Sequence, residues 1–264
     1  MEWWIIYLLM GLFVGFFAGL LGIGGGLILV TLMVYLFTLQ GFPVDRLLHL
    51  ALGTSITSIV FTSISSLRAH HEHGAVRWDI LRTAVPGLVV GTLLGTIVAD
   101  QLKSKYLAIF FVVFVYYSAV RMFADVEPKP TRQLPGKAGM SVVAVIVGMV
   151  SSLVGIGGGV MTIPLMRLCN VPMRQAIGTS AALGLPIAIA GSIGFIATGL
   201  GKDHLPALSL GYVYLPALVG IVIGTFVTVP WGAKKAHSMP VTTLTKIFAV
   251  ILFILATRML WSLF

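Results

Sequence analysis

The chain has 264 residues, 58% of them hydrophobic and 9% charged, with a mean hydropathy of +1.04. A soluble domain of this size cannot bury that much apolar sequence, so the composition points to a polytopic membrane protein in a lipid bilayer. The net charge of +9 would suggest nucleic acid in a soluble protein. Here the 17 basic residues fall in short connectors and form no stripe with interleaved aromatics, which excludes a nucleic-acid partner.

In chain order, the apolar runs of the first half are 3–21, 26–39, 44–69, 79–99 and 104–123. Those of the second half are 139–154, 159–169, 173–199, 210–229 and 241–263. The first run lacks a basic n-region and a small-residue cleavage site, so it reads as a retained span. Residues 26–39 and 159–169 are shorter than the ~20 residues that cross a bilayer. Between the halves lies a polar linker, 125–137, with Pro128, Pro130 and Pro135. The single cysteine, Cys169, excludes an intrachain disulfide and a cysteine-based metal site.

The halves repeat one another. Gly22-Ile23-Gly24-Gly25-Gly26 returns as Gly155-Ile156-Gly157-Gly158-Gly159, and Ala51-Leu52-Gly53-Thr54-Ser55 returns as Ala176-Ile177-Gly178-Thr179-Ser180. A duplication explains this pairing, giving a first repeat over 1–124 and a second over 138–264. Four glycines in five residues break a helix, and hydrocarbon tolerates such a break only where protein or water covers the freed backbone groups. Treating each glycine stretch as a hairpin puts Arg68, Arg77, Arg82, Arg121, Lys129, Arg132, Lys137, Arg167, Arg174, Lys234, Lys235 and Lys246 on one side. Only Arg46, Lys103, Lys105, Lys202 and Arg258 remain on the other. A chain running straight through the glycines would split 9 against 8 and lose the cytoplasmic bias. The expected fold is therefore all-α: two inverted repeats of about five membrane segments each, Gly-rich hairpin helices near the midplane, the linker cytoplasmic and both termini outside.

A Gly-rich turn leading into a helix presents unpaired N–H groups at the positive end of the helix dipole, which attracts anions without a charged side chain. Gly22, Gly24, Gly25 and Gly26, with Gly155, Gly157, Gly158 and Gly159, are thus candidate binding positions. Thr54, Ser55, Thr179 and Ser180 add hydroxyls, and Ser58 continues a stripe with Ser55, Thr62 and Ser65 at helical spacing. His49 and Arg174, each four residues before the glycine of Gly-Thr-Ser, are candidate anion-attracting gates. The eight acidic residues all fall in connectors or at segment ends, so no mid-membrane carboxylate is expected to relay protons or hold a metal. Small residues at four-residue spacing, Gly11-Gly15-Gly19, Gly87-Gly91-Gly95 and Gly220-Gly224, read as helix-packing faces.

These paired motifs, with Pro164 following the second glycine stretch, resemble the sulfite exporter TauE/SafE family over essentially the full length. The resemblance implies a bacterial inner-membrane permease for small sulfur oxyanions or organosulfonates, with no cofactor. One departure stands out, Thr31 occupying the position that matches Pro164. Two other readings stay open at this point: an intramembrane enzyme acting on lipid-linked phosphates, and a small-solute channel.

Overall fold

A computed structural model describes residues 2–21, 25–124, 133–236 and 241–261. Helices account for nearly all of them: α1 (Glu2–Leu21), α2 (Gly26–Leu39), α3 (Leu47–Glu72), α4 (Trp78–Gln101) and α5 (Ser104–Phe123). After the linker come α6 (Lys137–Val154), α7 (Gly159–Leu168), α8 (Met173–Gly199), α9 (Leu215–Ala236) and α10 (Val241–Trp261). The expectation of an all-α chain needs one correction. Between α8 and α9, β1 (Ser209–Leu210) pairs antiparallel with β2 (Val213–Tyr214), turning at Gly211 with φ 56°. Strands of two residues are too short to show alternation in a sequence.

Among the described residues six helical stretches are long and apolar enough to cross a membrane: 47–72, 78–101, 104–123, 137–154, 173–199 and 215–232. With 14 and 10 residues, α2 and α7 extend about 21 and 15 Å, well short of the ~30 Å hydrocarbon core. Large apolar side chains such as Phe226 and Trp231 face outward on α9, as a lipid-facing surface requires.

The small-residue stripes are where backbones meet. Gly87, Gly91 and Gly95 of α4 lie in turn against Ser141, Val145 and Met149 of α6, so these two helices run parallel. In the same way Gly11 and Gly15 of α1 meet Ile221 and Thr225 of α9, again parallel. At the centre α3 crosses α8. Gly53, Ile56 and Ser63 meet Phe195, Gly191 and Gly184 respectively, a descending order that makes this pair antiparallel. On the flank α5 packs on α10, where Tyr116 and Thr257 share a 2.8 Å hydrogen bond. A Cβ added to Gly91 would collide with the Val145 carbonyl. Gly91→Ala is therefore expected to cost about 1–3 kcal/mol and lower the detergent melting temperature, whereas Val113→Ala on the lipid face should change stability by less than about 0.5 kcal/mol.

Candidate functional site

The second glycine stretch has become an elbow, and the described end of the first, Gly25-Gly26, meets it. Gly155 closes α6 in the left-handed region (φ 68°), and Gly158 opens α7 there too (φ 81°), so both positions need glycine. On the other side Gly25 opens α2 at φ 64°. Gly22 and Gly24 lie outside the described residues. A Cβ on Gly26 would sit 2.5 Å from the Gly155 carbonyl oxygen and 3.2 Å from the Ile156 Cα. Ser55, fully buried on α3, donates its hydroxyl to the Gly155 carbonyl at 3.0 Å and lies 3.5 Å from the Gly26 carbonyl. One turn on, Ser58 donates to the Ser55 carbonyl at 2.7 Å. The structure thus gathers Gly25, Gly26, Ser55, Ser58 and the 155–159 turn at one buried point.

The backbone amides of Gly157, Gly158, Gly159 and Val160 find no acceptor among the described residues, and α7 has no side-chain cap. Ser151 and Thr162, which the duplication does not reveal, line this same turn. The Ser151 hydroxyl is wholly buried, has no hydrogen-bond partner among the described residues, and lies 3.5 Å from where a Gly158 Cβ would be. Thr162 donates to the Gly158 carbonyl at 3.1 Å and its hydroxyl meets that of Ser180. Counted from the glycine turns, the matching residues of the first half are Ala18 and Leu29. Indeed Ala18 packs on Gly25 as Ser151 does on Gly158. The second elbow is polar where the first is apolar. A serine or threonine within two turns of a glycine break was the available signal, hidden because only one half carries it.

Gly-Thr of each Gly-Thr-Ser segment grips a loop of the other half. Gly53 packs against the backbone of Tyr212, and the Thr54 hydroxyl accepts the Tyr214 N–H at 3.0 Å. Reciprocally, Gly178 packs against Ala75, and the Thr179 hydroxyl accepts the Arg77 N–H at 2.9 Å. Thr54 and Thr179 are fully buried and stand at the loops that begin α9 and α4, while Ser55 and Ser180 stand at the elbows.

His49 and Arg174 sit away from the elbows. His49 is fully buried, its Nε2 donating to the Ala99 carbonyl at 2.9 Å and its ring 5.1 Å from that of Tyr212. Beside it Asp100, in the last turn of α4, accepts from Tyr212 at 2.7 Å and from Lys202 at 2.9 Å, and Arg46 donates to the Tyr212 hydroxyl at 3.0 Å. Burial, and then the Asp100 carboxylate, hold the Tyr212 phenol above its ordinary pKa. Arg174 is exposed and donates to the His73 carbonyl at 2.9 Å, a cation placed at the C-terminal end of α3.

Comparison with known proteins accords with this architecture. The family model described as sulfite exporter TauE/SafE matches residues 7–259. A probable membrane transporter protein of Haemophilus influenzae is 36% identical over 256 residues, 97% of this chain and 97% of that protein. A probable membrane transporter protein of Methanocaldococcus jannaschii is 26% identical, covering 85% of this chain and 81% of its own length. Another, YdhB of Bacillus subtilis, is 27% identical over 89% of this chain and 90% of that protein. No solved structure matches the chain. A multi-pass helical bundle, broken at two glycine elbows and matched from residue 7 to residue 259, belongs to the sulfite exporter TauE/SafE family of membrane transporters.

Proposed function

We propose that this chain carries small sulfur-containing anions, such as sulfite or organosulfonates, across the bacterial inner membrane by alternating access. The observation that carries this reading is the meeting of the two elbows at a buried point, with four backbone amides of the second one lacking an acceptor. Those amides stand at the positive end of α7, and low dielectric around them strengthens their attraction for an anion. The unpartnered Ser151 hydroxyl supplies a donor on the same turn, and Ser180 with Thr162 adds a second pair. Ser55 lies against the Gly26 carbonyl of the first elbow and donates to the Gly155 carbonyl of the second, so movement of one is felt by the other.

The repeat plan is part of the proposal. The halves 1–124 and 138–264, joined by the 125–137 linker, insert in opposite directions. Antiparallel packing of α3 on α8, the matching helices of the two halves, supports this. A straight passage through each glycine turn would instead make α3 and α8 parallel, so their packing also favours hairpin elbows. With both termini outside, the basic connectors face the cytoplasm. The Arg46–Tyr212–Asp100–Lys202 network beside His49 closes the outer end, and Arg174 on the α3 C-terminus stands at the inner one. Thr54 and Thr179 hold the loops between those ends and contact the anion only indirectly.

Saturable sulfite counterflow in proteoliposomes tests the assignment. Ser151→Ala, which keeps the fold, removes one hydrogen bond to a charged ligand and is expected to slow uptake at low sulfite by about 10–100-fold. Gly158→Leu, which cannot keep φ at 81° without strain, is expected to abolish it. Unchanged counterflow in Ser151→Ala rejects the site. Thr179→Val, by leaving the Arg77 N–H without its acceptor, is expected to cost about 1–3 kcal/mol of stability and leave the KM for sulfite unaltered.

A further inference from the structure

A cavity of about 170 Å³ lies between α4, α6, α7 and α8, with Leu134 and Pro135, at the end of the linker, in its wall. Its walls include Leu88, Ala144, Val147, Leu165, Met166 and Leu183, and the hydroxyl-bearing residue on them is Thr162. On three of its helices an apolar wall residue has a hydroxyl about one turn, some 5 Å, away along the helix. On α6 Val147 is followed by Ser151, on α7 Leu165 and Met166 are preceded by Thr162, and on α8 Leu183 is preceded by Ser180. All three hydroxyls belong to the second elbow, where Thr162 bonds Ser180 and Ser151 lies beside Gly158. Through Thr162 the dry space adjoins the polar turn.

Among the described residues of the first half the matching places are filled. At the matching places Gly11 is pressed on Ile221, Val14 is buried against Gly25, and Ala18 and Leu29 stand where Ser151 and Thr162 stand. A space shared by both halves would be explained by the pathway alone. A one-sided one, joined to the one polar elbow, is explained by the shape of a ligand.

We infer that the cavity is a tail subsite: the anion held at the second elbow carries an apolar chain of roughly six carbons, which lies among Ala144, Val147, Leu165 and Leu183. The size follows from comparison with apolar cavities of about 150 Å³, which stay dry and take up benzene. Bare oxyanions then occupy only half of the site, and amphiphilic sulfonates with a short alkyl tail fill it. This inference rests on the reading of the second elbow as an anion site.

The test is calorimetric titration of the purified protein in lipid nanodiscs with methane-, butane-, hexane- and octanesulfonate, corrected with empty nanodiscs, and with 1-butanol and 1-hexanol alongside. Affinity is expected to rise about fourfold per methylene up to hexanesulfonate and to level off by octanesulfonate. Ala144→Phe, which fills the cavity, is expected to abolish that rise and leave methanesulfonate affinity as it was. Leu165→Trp, on the half-buried Leu165 of α7, serves as a second filling variant where Ala144→Phe does not fold. Methanesulfonate binding with no gain along the series overturns the tail subsite and leaves the anion site standing. Gains of equal size along the alcohols, or gains that persist in both filled variants, also overturn it. Binding of no sulfonate at all removes the anion site and the tail subsite together.

Discussion

Hydrocarbon offers no water to a broken helix, so each backbone amide or carbonyl freed by a break costs several kcal/mol unless protein satisfies it. This chain breaks twice, and most of its architecture answers that cost. The Gly155 carbonyl is taken up by Ser55, and the elbow itself is covered by Gly26 of its counterpart. Only glycine lets two turns come so close, and only their contact keeps both out of lipid. What the arrangement leaves over, among the described residues, are the amides at the heads of α2 and α7, and those of α7 have the Ser151 hydroxyl beside them. Structural necessity thus covers one face of the elbow, and the unmended face is where a ligand is useful.

Much of this was legible from residues alone. Among the described residues, apolar runs bounded by glycine, proline and charge located nine helices to within three residues and placed α9 five to seven residues too early, because the β1–β2 turn precedes it. Duplication found the elbows and the Gly-Thr-Ser segments because both halves need them for the same reason. What escaped were the features that only one half carries, or that depend on distant partners. Ser151 and Thr162 have Ala18 and Leu29 as counterparts, so repeat matching passes over them. His49 reads as a residue near a helix start, and its burial depends on a carbonyl 50 residues away and on the Tyr212 ring. Asp100 reads as a solvated helix end until Tyr212 and Lys202 close over it. The role of the two Gly-Thr threonines was hidden likewise, because the N–H groups they accept lie in the opposite half.

The balance between symmetry and its loss shapes the molecule. Equivalent helices cross at the centre, equivalent loops are gripped by equivalent Gly-Thr pairs, and equivalent small-residue faces bring α4 onto α6 and α1 onto α9. Polarity does not follow the same symmetry. Hydroxyls gather at one elbow, and a network of Arg46, Tyr212, Asp100 and Lys202 gathers at one end. The packing is shared between the halves and the polar chemistry is not.

The reciprocal grip has a further consequence, for how the protein is made. Arg77 meets its acceptor on Thr179, 102 residues later, and Thr54 waits for Tyr214, 160 residues downstream. At ribosomal speeds of about 5–20 residues per second, those delays last from about 5 to 30 seconds. Throughout that interval the N-terminal half sits at the translocon with its glycine turn uncovered and its threonine unengaged. Its maturation is therefore paced by the ribosome, and a nascent chain halted before residue 179 holds half of a clasp with nothing to fasten.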